Sequence, residues 1–296
     1  MDGIVVAFNV IQIAGCISGV VIMLTALVSR SLRRLPTWYL VLCSSTAYSL
    51  SMSMLAIARK QIGPSEPNFT LCLVQGALIY SCPIWLLSTA LAFALQFHLT
   101  MVYYAKQYTG FIRRDSTWIP LSTVILFIAL TAMFLAIGAV RPDIVERSPQ
   151  QFYCHFSSNI GSYFVTGFSI VFAFAAVICE FKTASLLYQH WRQRNEFYHQ
   201  SDGQVATSVM IRLAGFSLLS VLSVATCVVY VLPITPTAIQ GFIVFNAFLS
   251  NLAGPFVIGL NMSIVRAWIF WKKPVDVRTI DVRKIAVEVK VEQSQC

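Results

Sequence analysis

Long apolar stretches separated by short polar, mostly basic segments make up this chain. The pattern repeats seven times, at about 4–28, 38–58, 72–104, 118–140, 160–188, 208–232 and 239–262. Each stretch reaches the roughly 20 residues that an α-helix, rising about 1.5 Å per residue, needs to cross a bilayer. A membrane β-barrel would instead show alternating segments of about 10 residues, which the sequence lacks. Helices satisfy their backbone polar groups internally and are the expected elements. In the third stretch, from Cys72 to Tyr104, no Asp, Glu, Lys or Arg interrupts 33 residues. A helix of that length is expected to lie tilted and central in the bundle.

Composition agrees with this pattern and excludes a soluble fold. Hydrophobic residues make up 57% and charged residues 11%, against about 25% charged in soluble domains; mean hydropathy is +0.72. The first apolar run is too long for a cleaved signal core of about 7–15 residues, and no basic segment precedes it. It is read as span one. Of the 21 Lys and Arg, 17 fall on one set of flanks, leaving Arg59, Lys60, Arg141 and Arg147 on the other. The basic side is the cytoplasmic one. The expectation is therefore an all-α, multi-pass plasma-membrane protein: a seven-transmembrane helix bundle with its N-terminus outside and its C-terminus in the cytoplasm. Residues 1–272 form the bundle domain, and 273–296 a flexible cytoplasmic tail. The net charge of +9 lies along the inner leaflet, so the partner it implies is the lipid bilayer and not nucleic acid. After span seven, Ser263–Lys273 places Ile264, Val265, Trp268 and Ile269 on one face, as an interfacial helix does.

Little chain remains outside the membrane: a short N-terminus and loops near 59–71, 141–159 and 233–238. A ligand must enter the bundle from above or sit under the second external loop. Asn68-Phe69-Thr70 is a glycosylation sequon on the expected outer side, although its closeness to span three works against modification. Asn261-Met262-Ser263 falls on the cytoplasmic side and is discounted. Of the eight cysteines, only Cys72 and Cys154 lie outside the lipid on the oxidising face. They are expected to form a disulfide, the alternative being two unpaired thiols.

Intramembrane ionisable residues are the first functional clue in such a chain. Span three carries His98 and span five Glu180, both toward the cytoplasmic end, where Arg212 opens span six. A polar lock of Glu180 or His98 on Arg212 is one reading; unpaired groups reaching the inner surface is the other. No carboxylate lies near the midplane, as a proton-coupled transporter needs. Paired aspartates, a Ser/His pair and metal-ligand spacing among His98, His155, His190 and His199 are all missing. No enzyme, cofactor or metal is expected. The outer half of the bundle offers Gln75, Tyr80, Trp85, Tyr163, Tyr230, Gln240 and Asn246, aromatics with a few neutral polar groups, as in a ligand cavity. Each of these is also an ordinary packing residue. Without an acidic group there, a neutral, lipophilic or peptide ligand fits better than a cationic amine. Pro83 and Gly254-Pro255 can bend their spans, and Asn251 lies four residues before Pro255, forming a switch or a static kink. Gly15 and Gly19 make a small-residue face expected to pack on span two.

The arrangement resembles, in outline, the rhodopsin-like and slime-mould cyclic-AMP seven-helix G-protein-coupled receptors. It resembles more closely a set of receptor-like proteins of mushroom-forming fungi. Thr37-Trp38, Cys72 with Gln75, Phe152-Tyr153-Cys154-His155, Trp191-Arg192, and Ile211-Arg212 with Phe216 carry that likeness over residues 1–272. It implies an extracellular ligand and a heterotrimeric G protein as partners. Where rhodopsin-like receptors end span three in an acidic–Arg–Tyr triplet, this chain has Gln96-Phe97-His98. Coupling would therefore use other groups, among them Arg113, Arg114, Arg192, Arg194 and Arg212. The alternative function is a seven-helix facilitator or transporter without ion coupling, although spans 1–3 and 5–7 show no convincing internal repeat.

Overall fold

The computed structural model describes residues 2–28, 35–61, 67–106, 117–148 and 152–194, with isolated positions between 215 and 254. All of these fall in one compact unit, Met1–Leu260; the second, Asn261–Cys296, lies outside the described residues. The expected interfacial helix and tail, and most of spans six and seven, therefore also lie outside them. At the described positions within 215–225 and 241–254 the backbone is helical, with π-type turns at Phe248 and Asn251.

Five helices follow the predicted spans: α1 (Asp2–Val28), α2 (Pro36–Ile57), α3 (Phe69–Lys106), α4 (Trp118–Val140) and α5 (Asn159–Arg194). Each is long and apolar enough to cross a membrane, and a lipid bilayer is a fitting solvent for them. Two extend past their apolar stretches. Asn68 starts α3 early: its side-chain Oδ1 accepts the Thr70 N–H at 3.1 Å, satisfying a donor that the first turn leaves over. α5 runs on to Arg194, because leaving the lipid does not by itself end a helix. At 38 residues, α3 is about 57 Å long, well beyond a hydrocarbon core of about 30 Å. It is also the most enclosed helix, 61% buried over its most apolar window against 22% for α4 and α5. It packs on α2, α4 and α5.

The core is apolar, as in a water-soluble protein, but the outer surface is apolar as well. Val6, Val10, Ile17, Leu24, Ile125, Ile128, Val171 and Phe174 face outward, where acyl chains can cover them. The α2–α3 seam holds buried Ser44, Ser45, Ser51, Ser53, Gln75, Thr89 and Gln96. Thr37 donates to Gln96 Oε1 at 2.6 Å, and the Ser44 and Thr89 hydroxyls meet at 2.9 Å. Between α3 and α4, Thr131 donates to the Ser81 hydroxyl at 2.9 Å. With lipid outside, apolar contact alone favours no particular partner, and such interhelical bonds supply the preference.

The 141–159 stretch, read as a loop, contains a single 3₁₀ turn (Pro142–Ile144) and two short strands, β1 (Val145–Arg147) and β2 (Cys154–Phe156). The strands pair antiparallel, with Val145 opposite Phe156, Glu146 opposite His155 and Arg147 opposite Cys154. The architecture is thus helical with one small hairpin. Both strands pack on α3, at the end of the bundle where α2 finishes and α3 begins.

Candidate functional site

The hairpin end is built around Cys72 and Cys154, which form a disulfide with Cα atoms 5.1 Å apart. That separation is normal for the bond. Leu55, Leu71 and Val145 enclose the sulfurs. One turn along α3, Gln75 is fully buried and uses both ends of its amide. Nε2 donates to the Ser51 carbonyl at 2.9 Å, and Oε1 accepts the Cys154 N–H at 3.0 Å. Cys154 is therefore held twice, by its sulfur and by its backbone.

Further along α3, Tyr80 lies parallel to Phe156 with ring centroids 5.3 Å apart, and at 5.3 Å from Phe134 of α4. Its hydroxyl donates to the Phe156 carbonyl at 3.4 Å. A side chain at Gly161, on the first turn of α5, would meet this ring at 2.9 Å; only glycine admits so close an approach. On the other flank, Phe152 is 1% exposed and sits between Phe8, Val5, Met52, Ile79 and Ala247. Gln61 donates to its carbonyl at 3.2 Å and exchanges two amide bonds with Asn9 of α1, at 2.6 and 3.3 Å. The residues leading into and along β2 thus fill the hairpin end of the bundle.

Two titratable groups in this plug are shifted by its dryness. Burial pushes the Tyr153 phenol up to about 12, with Tyr80 nearby adding to the shift. Burial also lowers the His155 imidazole below its usual range, against the opposing pull of Glu146 across the strands. The Nε2–Oε1 separation to Glu146 is 3.7 Å, too long for a strong hydrogen bond, so desolvation prevails.

Of the expected cavity residues, Gln75 and Tyr80 are brought together, with their polar atoms engaged by the hairpin. Trp85 lies deeper and stacks on Phe127 of α4 at 4.2 Å; its indole N–H has no hydrogen-bond partner among the described residues. Tyr163 is 59% exposed. It follows Gly161 by two positions, about 200° around the helix, so it points away from Tyr80. Tyr230, Gln240 and Asn246 lie outside the described residues. Asn68 is exposed.

At the opposite end, His98 Nδ1 lies 2.9 Å from the Thr183 hydroxyl, which donates to the Cys179 carbonyl at 2.7 Å. Glu180, one turn before Thr183, is 2% exposed. Arg212, the partner expected for these groups, lies outside the described residues, as do Arg113, Arg114 and Pro255. Arg192 and Arg194 fall on the last turn of α5, their side chains outside the description.

The described part of span seven meets α1. Asn251 donates through Nδ2 to Gln12 Oε1 at 2.7 Å and faces α1 rather than its own helix. A Cβ at Gly15 would fall 2.5 Å from the Asn251 carbonyl oxygen, whereas Gly19 faces Thr46 of α2. The small-residue face therefore serves two neighbours. Gln12 and Asn251 are both buried, and Gln12 Nε2 and Asn251 Oδ1 find no further hydrogen bond among the described residues. Gln12, Gln61, Asn9 and Thr183 are site residues that sequence reading passed over, and Phe152 entered it only through the family likeness. The signal for Gln12 was present, since a neutral amide within an apolar span needs a buried partner. No group of three His, Cys, Asp or Glu is placed to hold a metal among the described residues. No protein-family model and no curated protein matches this chain.

Proposed function

We propose that the chain is a plasma-membrane receptor of the seven-helix, G-protein-coupled type, with its N-terminus outside and akin to the receptor-like proteins of mushroom-forming fungi. The observation that carries this reading is the long, enclosed α3, tied at its head through Cys72 to a hairpin that follows α4. A neutral, lipophilic or peptide ligand would act at the hairpin end, where Tyr80, Gln75 and Phe152 couple the external loop to α1, α2 and α3. Binding would pass to the other end as a displacement of α5 against α3, breaking the His98–Thr183 contact beside buried Glu180. The basic cytoplasmic loops would then receive a heterotrimeric G protein. The protein acts by binding and conformational change, not by catalysis.

The test is coexpression of the membrane-embedded chain with a panel of fungal Gα subunits. A complex that excess GTP dissolves is the expected result. Absence of a complex with every Gα, together with solute flux in proteoliposomes, would replace the receptor by an uncoupled facilitator.

A further inference from the structure

At the hairpin end, α2 and α3 leave between them a groove of about 460 Å³. Its walls are Ala47, Leu50, Met54 and Ile57 on α2 and Leu71 and Leu78 on α3, and its floor is Ser51 and Cys82. The one hydroxyl is already committed, since Ser51 donates to the Tyr48 carbonyl at 2.7 Å. Leu50 and Ile57 are exposed, so the groove opens sideways from a spanning segment rather than toward the bundle axis. From Ala47 to Ala58, and from Leu71 to Cys82, each wall rises about 16 Å. That is half of a hydrocarbon core of about 30 Å, the depth of one leaflet. A slot with no free polar group, one leaflet deep and open to lipid, matches a single acyl chain.

The mouth of the groove supplies the complementary charge. α2 ends in a Schellman motif, with Arg59 N–H bonded to the Ala56 carbonyl and Lys60 N–H to the Leu55 carbonyl, each at 3.0 Å. The residue between helix and loop has φ 54°, a conformation that favours glycine. Here it is Arg59, exposed and next in sequence to Ala58 at the groove's edge. Arg59 and Lys60 are two of the four basic residues at the hairpin end among the described residues, the others being Arg141 and Arg147. An exposed arginine one residue beyond the lining Ala58, at the end of an acyl-sized slot, is within reach of a phosphate there.

We propose that the α2–α3 groove is a phospholipid site, taking one acyl chain between Leu50 and Leu78 and the phosphate at Arg59. This needs only that the helices lie in a bilayer and is independent of the receptor reading. The probe is a phosphatidylcholine carrying a photoactivatable group on its acyl chain, presented to the purified chain in nanodiscs, with a photoactivatable sterol in parallel. The site predicts a phosphatidylcholine adduct on the Ala47–Ala58 peptide. Arg59→Gly should lower that adduct by roughly fivefold or more, through loss of one charge-assisted hydrogen bond to the phosphate. The same substitution relieves the backbone, so its melting temperature in detergent should be unchanged or raised; a merely structural arginine would lower both. Ala47→Phe, which fills the inner end of the slot, should reduce the adduct as well. Equal labelling of wild type and Arg59→Gly, or labelling by the sterol and not the phospholipid, overturns the proposal.

Discussion

Replacing Gln75 by leucine tests whether the hairpin is held by α3 or merely rests on it. Leucine keeps nearly the same volume and removes both hydrogen bonds. The Ser51 carbonyl lies inside α2 and keeps its helical bond, so its loss is small, about 0.5–1.5 kcal/mol. The Cys154 N–H faces α3, is fully buried, and would be orphaned at a cost of about 1–3 kcal/mol. The expected destabilisation is roughly 2–4 kcal/mol, a fall in melting temperature on the order of 5–15 °C. Thermal unfolding in detergent, followed by a thiol-reactive dye, reports it, because Cys82 is buried in the folded bundle. Gln75→Glu sharpens the test. An ionised carboxylate would face the Ser51 carbonyl, whereas a protonated carboxyl donates to that oxygen and still accepts from Cys154. This variant should therefore gain on wild type as pH falls. Melting of Gln75→Leu within about 1 °C of wild type, or a Gln75→Glu deficit that does not shrink in acid, would refute the two-bond account.

Cys72→Ser and Cys154→Ser should each impair folding or surface delivery, and the double substitution should be no worse, because one bond is lost in every case. The 82-residue separation corresponds to about 4.5 kcal/mol of loop-closure stabilisation, readable as surface yield. His155 is half-buried and its affinity for protons is lowered, so the unfolded chain binds the proton more readily. Its stabilisation is complete above the ordinary histidine value of 6.5 and is lost as pH falls through the lower folded value. Melting temperatures between pH 7.5 and 5 should drop in wild type, and His155→Gln should flatten that slope. Gly15→Ala should destabilise by about 1–3 kcal/mol by driving a methyl into the Asn251 carbonyl. Gly167→Ala, which meets nothing within 4 Å, should stabilise α5 by roughly 0.5–1 kcal/mol; equal effects at the two glycines would remove the α1–Asn251 contact from the argument.

How much could be read from the chain differs from element to element. The stretch at 118–140 coincides with α4 at both ends, because its helix stops where its apolar residues stop. At α3 the same reasoning falls short by three residues, since Asn68 caps the helix through a side chain that hydropathy ignores. The gross exposure of Val10 or Ile128 follows from the lipid-crossing pattern, but which face of α5 turns inward does not. An evenly apolar helix has no polar stripe to mark its core side, and so Tyr163 entered a cavity set that its position relative to Gly161 separates from Tyr80.

The sequence by itself determined five helices long and apolar enough to cross a membrane, their approximate ends, and the two cysteines expected to pair. Those properties depend on residues close together in the chain and on the solvent they require. Only the tertiary structure decided what the polar residues do: Gln75 clamping Cys154, Gln12 meeting Asn251 across 239 positions, and Gln61 reaching Phe152. A neutral amide in an apolar span announces that it needs a partner, yet any helix can supply one. The packing of α1, α2 and α3 with the hairpin selects which.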